Sequence, residues 1–191
     1  MRKLTILLMV VIGTIIAKGQ NEDVTLKAST VKFFGIDFSE VKVYGGKESP
    51  AQFLQAFEDI NRLFLSEPKK YNVEKLLKRE VSDVSIKAVN SIIDYIDRDE
   101  LIIEDSSYQL DERTLNEIVK FLPVDREDGV GALFIAEMFN RVAGRGSYVV
   151  VYFSLDNKEI LGSFRVTGKA GGFGLRNYWA NTIFDIIRNR R

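Results

Sequence analysis

The 191 residues include 27 lysines and arginines against 27 aspartates and glutamates, with no histidine and no cysteine. That composition removes Ser-His-Asp and Cys-His nucleophile systems, histidine-ligated zinc or iron, disulfides and lipid attachment at a cysteine. The charge balance lacks the basic excess of proteins that live on nucleic acid, so no nucleic-acid partner is expected.

Met1, Arg2 and Lys3 open the chain with positive charge, residues 4–17 run apolar, and small residues stand at Ala17 and Gly19 before a polar stretch. This order predicts a secretory signal over residues 1–19, cleaved after Gly19. The alternative is an uncleaved anchor, which needs roughly 20 apolar residues to cross a bilayer; this run is shorter. No later apolar run is long enough to span, so no transmembrane segment is expected after cleavage. Loss of Arg2, Lys3 and Lys18 with the signal leaves a slight acidic excess. What remains, about 170 residues, is one domain's worth of chain. An exported chain without disulfides is held by its core alone, which suits the periplasm or secretion from a bacterial cell.

Residues 20–30 lack a sustained period and read as a mobile leader to a single domain over residues 31–191. Val31 to Phe38 alternates as a strand, with Val31 and Phe33 opposed to Phe34, Ile36 and Phe38. Ser39 to Tyr44 continues it past a bend, and Gly45 and Gly46 end it. Ser49 and Pro50 start a helix, because serine caps well and proline at the first helical position loses no hydrogen bond. Phe53, Leu54, Phe57, Ile60 and Phe64 recur at helical spacing until Glu67 and Pro68. Asn72 caps a second helix carrying Val73, Leu76 and Leu77. Between Val81 and Ile96 the two periods compete, and the reading is a strand first, then a helix after Ala88. Residues 100–104 form a short strand or extended connector. Asp111 caps a helix that turns Leu115, Ile118, Val119 and Leu122 inward and stops at Pro123. Residues 125–129 are a solvated loop.

Residues 132–142 are contested too. Ala132, Phe134, Ala136 and Met138 alternate against Leu133, Ile135 and Phe139, although Ala, Glu and Met favour helix. The short glycine-bearing loop from Ala143 to Gly146 favours a strand in a long hairpin. Ser147 to Phe153 is almost wholly apolar, as in a central strand covered on both faces. Asp156 and Asn157 form a turn. Beyond it Ile160, Phe164 and Val166 point one way and Leu161, Ser163, Arg165 and Thr167 the other. A glycine loop from Gly168 to Gly174 then leads into a C-terminal helix with the apolar stripe Leu175, Trp179, Ile183 and Ile186. The predicted class is α/β with α+β character: a mixed sheet with a C-terminal antiparallel meander, helices packed on the sheet, and a C-terminal helix.

The segments Val31–Ser39 (VKFFGIDFS) and Gly171–Ala180 (GGFGLRNYWA) together resemble a family of exported bacterial proteins of unknown function, over most of the chain beyond the signal. The meander, through Gly146–Tyr148 and Leu155–Ile160, is similar to the small α/β domain at the N-terminus of the periplasmic protein TolB and its lipoprotein relatives. In those domains the turn carries a glycine where Asn157 and Lys158 stand here. The second resemblance implies an envelope interaction module without catalysis. The lipidated cysteine of the lipoproteins has no counterpart in this chain.

Four groups of residues can carry chemistry. In the glycine loop, Lys169, Gly171, Gly172, Gly174, Arg176 and Asn177 can form a ligand site, because glycine-rich backbone at a helix N-terminus points N–H groups at an anion. Its spacing matches neither the phosphate loop nor the dinucleotide fingerprint, and the structural alternative is that the glycines turn the chain and tuck Phe173 under the sheet. Asn177, Tyr178 and Trp179 are either an aromatic contact surface or part of the core stripe. Asp37 and Glu137 sit in apolar runs, and a facing pair could do acid–base work or hold calcium or magnesium. Arg188 and the arginines after it complement the negative end of their helix. The function expected is an exported, non-catalytic module that binds another envelope protein or a small ligand, with no catalytic residue, metal or cofactor assigned. The alternative is a carboxylate-dependent hydrolase built on Asp37 and a second carboxylate.

Overall fold

The computed structural model describes residues 28–189. The expected signal, and the leader up to residue 27, lie outside the described residues; Thr30, placed in the leader by its sequence, begins the first strand. In chain order the elements are β1 (Thr30–Asp37), β2 (Lys42–Tyr44), α1 (Pro50–Ser66), α2 (Val73–Leu77), β3 (Glu80–Val84), α3 (Lys87–Ser91), a 3-10 turn (Ile93–Tyr95), β4 (Ile102–Ile103), α4 (Glu112–Phe121), β5 (Val130–Asn140), β6 (Arg145–Ser154), β7 (Ile160–Lys169) and α5 (Leu175–Asn189).

The strands form one mixed sheet built outward from β5, whose residues from Gly131 to Phe139 are all buried. Along one edge of β5, β1 pairs in parallel with its first half and β2 with its second, so β1 and β2 occupy one strand position broken by a bend. Outside them β3 pairs with β1 and β4 with β2, again in parallel. Along the other edge β6 and then β7 run antiparallel, completing the predicted meander. Interior and covered on both faces, β6 matches its apolar composition.

Helices cover both faces of the sheet. On the first, α1, α2 and α5 pack over Phe33, Ile36, Phe134, Phe139, Tyr148 and Val150. On the second, α3 and α4 pack over Phe34, Leu133, Ile135, Val149, Val151 and Phe153. The caps are those the sequence calls for. Ser49 and Gln52 form a capping box at α1, Asn72 Oδ1 accepts from Lys75 N at 2.9 Å, and Asp111 Oδ1 accepts from Thr114 N at 2.8 Å. The contested segments resolve as β3 followed by α3, and as the strand β5.

Simple alternation fails at three places, each at a shift in strand register. Ile36 and Phe38 join Phe33 on the first face, because β1 bulges at Gly35, which takes φ +88°. Phe139 likewise joins Phe134, because the β5–β6 register skips Glu137. Ile160 packs with Phe153 on the second face, opposite Phe164 and Val166, because of the shift beside Tyr152 and Phe153. One extra residue in a strand of period two carries every later side chain to the other face.

Past the bulge in β1, the backbone N–H and C=O of Ile36 are met by the side chain of Asn61 in α1. Ile36 N donates to Asn61 Oδ1 at 2.8 Å, and Asn61 Nδ2 donates to Ile36 O at 3.0 Å and to Asn90 Oδ1 at 3.0 Å. Asn61 is fully buried, so these bonds satisfy groups that would otherwise be stranded away from water.

Candidate functional site

Asp37 and Glu137 are both buried, on neighbouring strands. Asp37 pairs in register with Ile135, a residue of the face under α4, and Glu137 follows two residues later at the bulge of β5. Their partners are separate. Asp37 Oδ1 accepts from Ser39 N at 2.8 Å and from Ser39 Oγ at 2.5 Å, whereas Oδ2 is buried without a hydrogen bond among the described residues. Burial pushes the Asp37 carboxyl above its ordinary range; the Ser39 bonds oppose this and the charge of Glu40 adds to it. Glu137 Oε1 accepts from Leu110 N at 2.9 Å and from Arg165 Nε at 3.1 Å. Arg165 Nη2 in turn donates to Leu110 O at 2.6 Å. The bulge thus aims Glu137 at a bracket that ties the entry of α4 to β5 and β7.

Tyr108 lies beside this bracket, its hydroxyl donating to Glu40 O at 3.2 Å and Lys42 Nζ standing 5.8 Å from its ring centre. Burial, followed by the charges of Glu40 and Glu137, pushes the Tyr108 hydroxyl up to about 12. Among the described residues, no three carboxylate, histidine or cysteine side chains come together to hold a metal.

The glycine loop forms a joint between β7 and α5. Lys169 N donates to Asp185 Oδ2 at 2.9 Å, Ala170 N to Gly144 O at 2.8 Å, and Gly171 N to Tyr178 O at 3.0 Å. Asn177 Nδ2 donates to Phe173 O at 3.0 Å, while its Oδ1 accepts from Arg176 Nε at 3.1 Å and Nη2 at 2.8 Å. Gly172 and Gly174 take φ +99° and +81°, and between them Phe173 projects outward, 95 % exposed, instead of tucking under the sheet. The six predicted site residues therefore sit together at one end of α5, with several of their polar groups held by protein partners.

Trp179 is a core anchor, fully buried and stacked on Phe139 with ring centres 4.4 Å apart. Beside it Tyr178 packs edge-on at 4.9 Å and carries the Arg141 guanidinium over its outer face at 4.1 Å.

At the other end of α5 is a surface cleft that no single stretch of sequence spells out. Its volume is about 460 Å³, and it is lined by Lys69, Lys70, Lys75, Lys78, Phe184, Ile187 and Arg188. The chain between α1 and α2 brings Lys69 and Lys70, α2 and its C-cap bring Lys75 and Lys78, and the last turns of α5 bring the rest. Of the site residues considered from sequence, Arg188 alone lies here. The crowding of lysine from Lys69 to Lys78 was the available signal, but its convergence with α5 is a tertiary fact.

Fold and cleft together define a three-layer α/β domain with a strongly basic concave surface. No protein-family model matches the chain, and neither a curated protein nor a solved structure is detectably similar to it.

Proposed function

We propose that this chain is a non-catalytic binding module, exported to the periplasm or cell exterior, that takes an anionic ligand in the basic cleft beside α2 and the end of α5. The observation that carries the reading is an asymmetry in how charge is used. Glu137 is engaged by Leu110 N and Arg165, and Asp37 by Ser39, whereas the cleft collects five cations around Phe184 and Ile187. A concave surface of one sign concentrates counter-ions and steers them inward.

The test is a calorimetric titration against small anions at low ionic strength, with Lys75→Gln as control. Binding that weakens in the variant supports the module, and wild-type protein indifferent to every anion overturns it. Export is tested by mass spectrometry of protein recovered from its native host, where Gln20 is the expected N-terminus; an intact Met1 in that material removes the export half of the proposal.

One observation favours the second reading, a carboxylate-dependent hydrolase. Asp37 is a buried carboxyl with one oxygen unpartnered among the described residues and a raised proton affinity, which is how a general acid is held. Against it stands the same burial, which keeps substrate from that oxygen. Glycoside, ester and phosphoester substrates should show no turnover that Asp37→Asn abolishes; turnover lost in that variant establishes the enzyme instead.

A further inference from the structure

We infer that the anion taken by the basic cleft is a phosphate group, held by lysine ammonium groups over an apolar floor. This rests on the binding-module reading above and deepens it. Lys69, Lys75 and Lys78 make no ion pair with a carboxylate among the described residues, and the acidic groups nearest in sequence or on the same helix are engaged elsewhere. Glu74 accepts from Val81 N at 3.2 Å, and Asp185 accepts from Lys169 N at 2.9 Å and from Asn189 Nδ2 at 2.8 Å. Lys70 is partly held, 3.6 Å from Glu67 and 5.1 and 5.7 Å from the ring centres of Tyr71 and Phe184. Like charges gathered around one concavity repel one another, and an anion of high charge removes that penalty.

The backbone of Lys78 is an independent pointer. It is the C-cap of α2 in the left-handed conformation, φ 52° and ψ 40°, where glycine is the residue of least strain. A lysine kept in a glycine's conformation aims its side chain into the cleft at the expense of the local backbone.

The donor chemistry selects the anion. The planar arginine fork grips carboxylate and phosphate alike in two parallel bonds, and among the lining residues Arg188 alone offers one. Four lysines arriving from different directions are point charges suited to a tetrahedral group with several charged oxygens. Phe184 and Ile187 give the floor apolar character, so the phosphate can arrive on a soluble metabolite or as the headgroup of a phospholipid.

The experiment uses the whole chain and two probes: inorganic pyrophosphate by calorimetry, and phosphatidylcholine vesicles with or without phosphatidic acid by flotation. Wild-type protein should bind pyrophosphate, phosphatidic acid vesicles or both, and citrate clearly less well. Lys69→Gln with Lys75→Gln should weaken that binding roughly tenfold or more. Lys78→Gly should also weaken it while leaving the melting temperature unchanged or raised, which separates lost binding from lost folding. Lys169→Ala with Arg176→Ala should leave affinity unaltered. Pyrophosphate binding without vesicle binding identifies a soluble ligand, the reverse identifies a lipid headgroup, and either supports the inference. Citrate binding as tight as pyrophosphate overturns phosphate selection while the anion-binding module stands. Phosphate binding indifferent to the cleft variants, or absent with both probes, overturns the inference; turnover abolished by Asp37→Asn would instead overturn the module reading.

Discussion

The two ends of α5 carry similar residues and use them in opposite ways. At the N-terminal end, Lys169, Arg176 and Asn177 stand among glycines, and their polar groups turn back onto the protein through Asp185, Asn181 and Phe173. At the C-terminal end, Arg188 meets lysines of a different part of the chain around open space, and Lys69, Lys75 and Lys78 pair with no carboxylate among the described residues. A motif compact in sequence became a structural joint, and a cluster scattered in sequence became the concave charged surface. Glycine and positive charge in one loop describe backbone freedom; they do not say whether the N–H groups are still free once the loop is folded.

The sharpest way to break this comparison is to remove what fixes α5 in place. Trp179 is fully buried against Phe139 and Tyr178, so Trp179→Ala should cost about 3–5 kcal/mol, a large share of a domain's stability. Denaturant unfolding followed by circular dichroism measures it. A variant as stable as wild type would mean that α5 is held from its ends and not from its middle.

Next in size is the joint itself. A Cβ added at Gly168 would lie 1.9 Å from Thr182 O and 2.9 Å from Ile186 Cγ1, so β7 and α5 touch backbone to backbone there. Gly168→Ala must push the two apart and should lower stability by about 1–3 kcal/mol or more, as overpacking does. Unfolding midpoints in urea decide it. An unchanged midpoint would show that β7 and α5 slide easily, and that the loop after Gly168 is free to reshape around a ligand.

These effects also mark what could be read before folding. Caps and stops are local chemistry, so Ser49 with Pro50, Asn72, Asp111 and Pro123 placed their helices closely. Alternation was legible only up to a bulge. Gly35 announces one by its residue type, but Glu137 does not: a glutamate in an apolar run looks like any solvent-facing strand residue, and only its buried bonds to Leu110 and Arg165 explain it. Asn61 was similarly hidden, a polar residue in a helix whose role depends on the strand defect opposite. The cleft was the least legible feature, because its lysines and Arg188 are separated by most of the chain and meet only when α2 docks beside α5.

A third prediction concerns Asp37, whose two oxygens fall on either side of the same divide: Oδ1 is bonded to Ser39 and Oδ2 has no partner among the described residues. Its folded carboxyl binds a proton more tightly than the unfolded one, chiefly through burial. The sign follows by linkage. The proton-linked stabilisation is full below the unfolded value, about 3.9, and is lost as pH rises through the raised folded value. Asp37→Asn lacks that proton, so the stability of wild type relative to the variant should grow as pH falls from 7 towards 4. Paired urea titrations across that range measure it. A difference that is flat, or that shrinks towards acid, would mean that Asp37 is held as the ion.

The smallest expected effect is the most pointed test of the contrast. Lys169 donates to Asp185 through its backbone N–H, a bond that survives when the side chain is cut back, and among the described residues the guanidinium of Arg176 bonds to the adjacent Asn177 alone. Lys169→Ala with Arg176→Ala should therefore change stability by no more than about 0.5 kcal/mol, the usual range for surface positions. Sulfate or phosphate should raise the melting temperature of this double variant as much as that of wild type, because ligand stabilisation follows the intact cleft and not the glycine loop. A double variant that loses this response while Lys69→Gln with Lys75→Gln keeps it would reverse the comparison. The anion site would then lie at the helix N-terminus, where Gly172 and Gly174 turn the chain, and the lysines around Phe184 would be a solvated face.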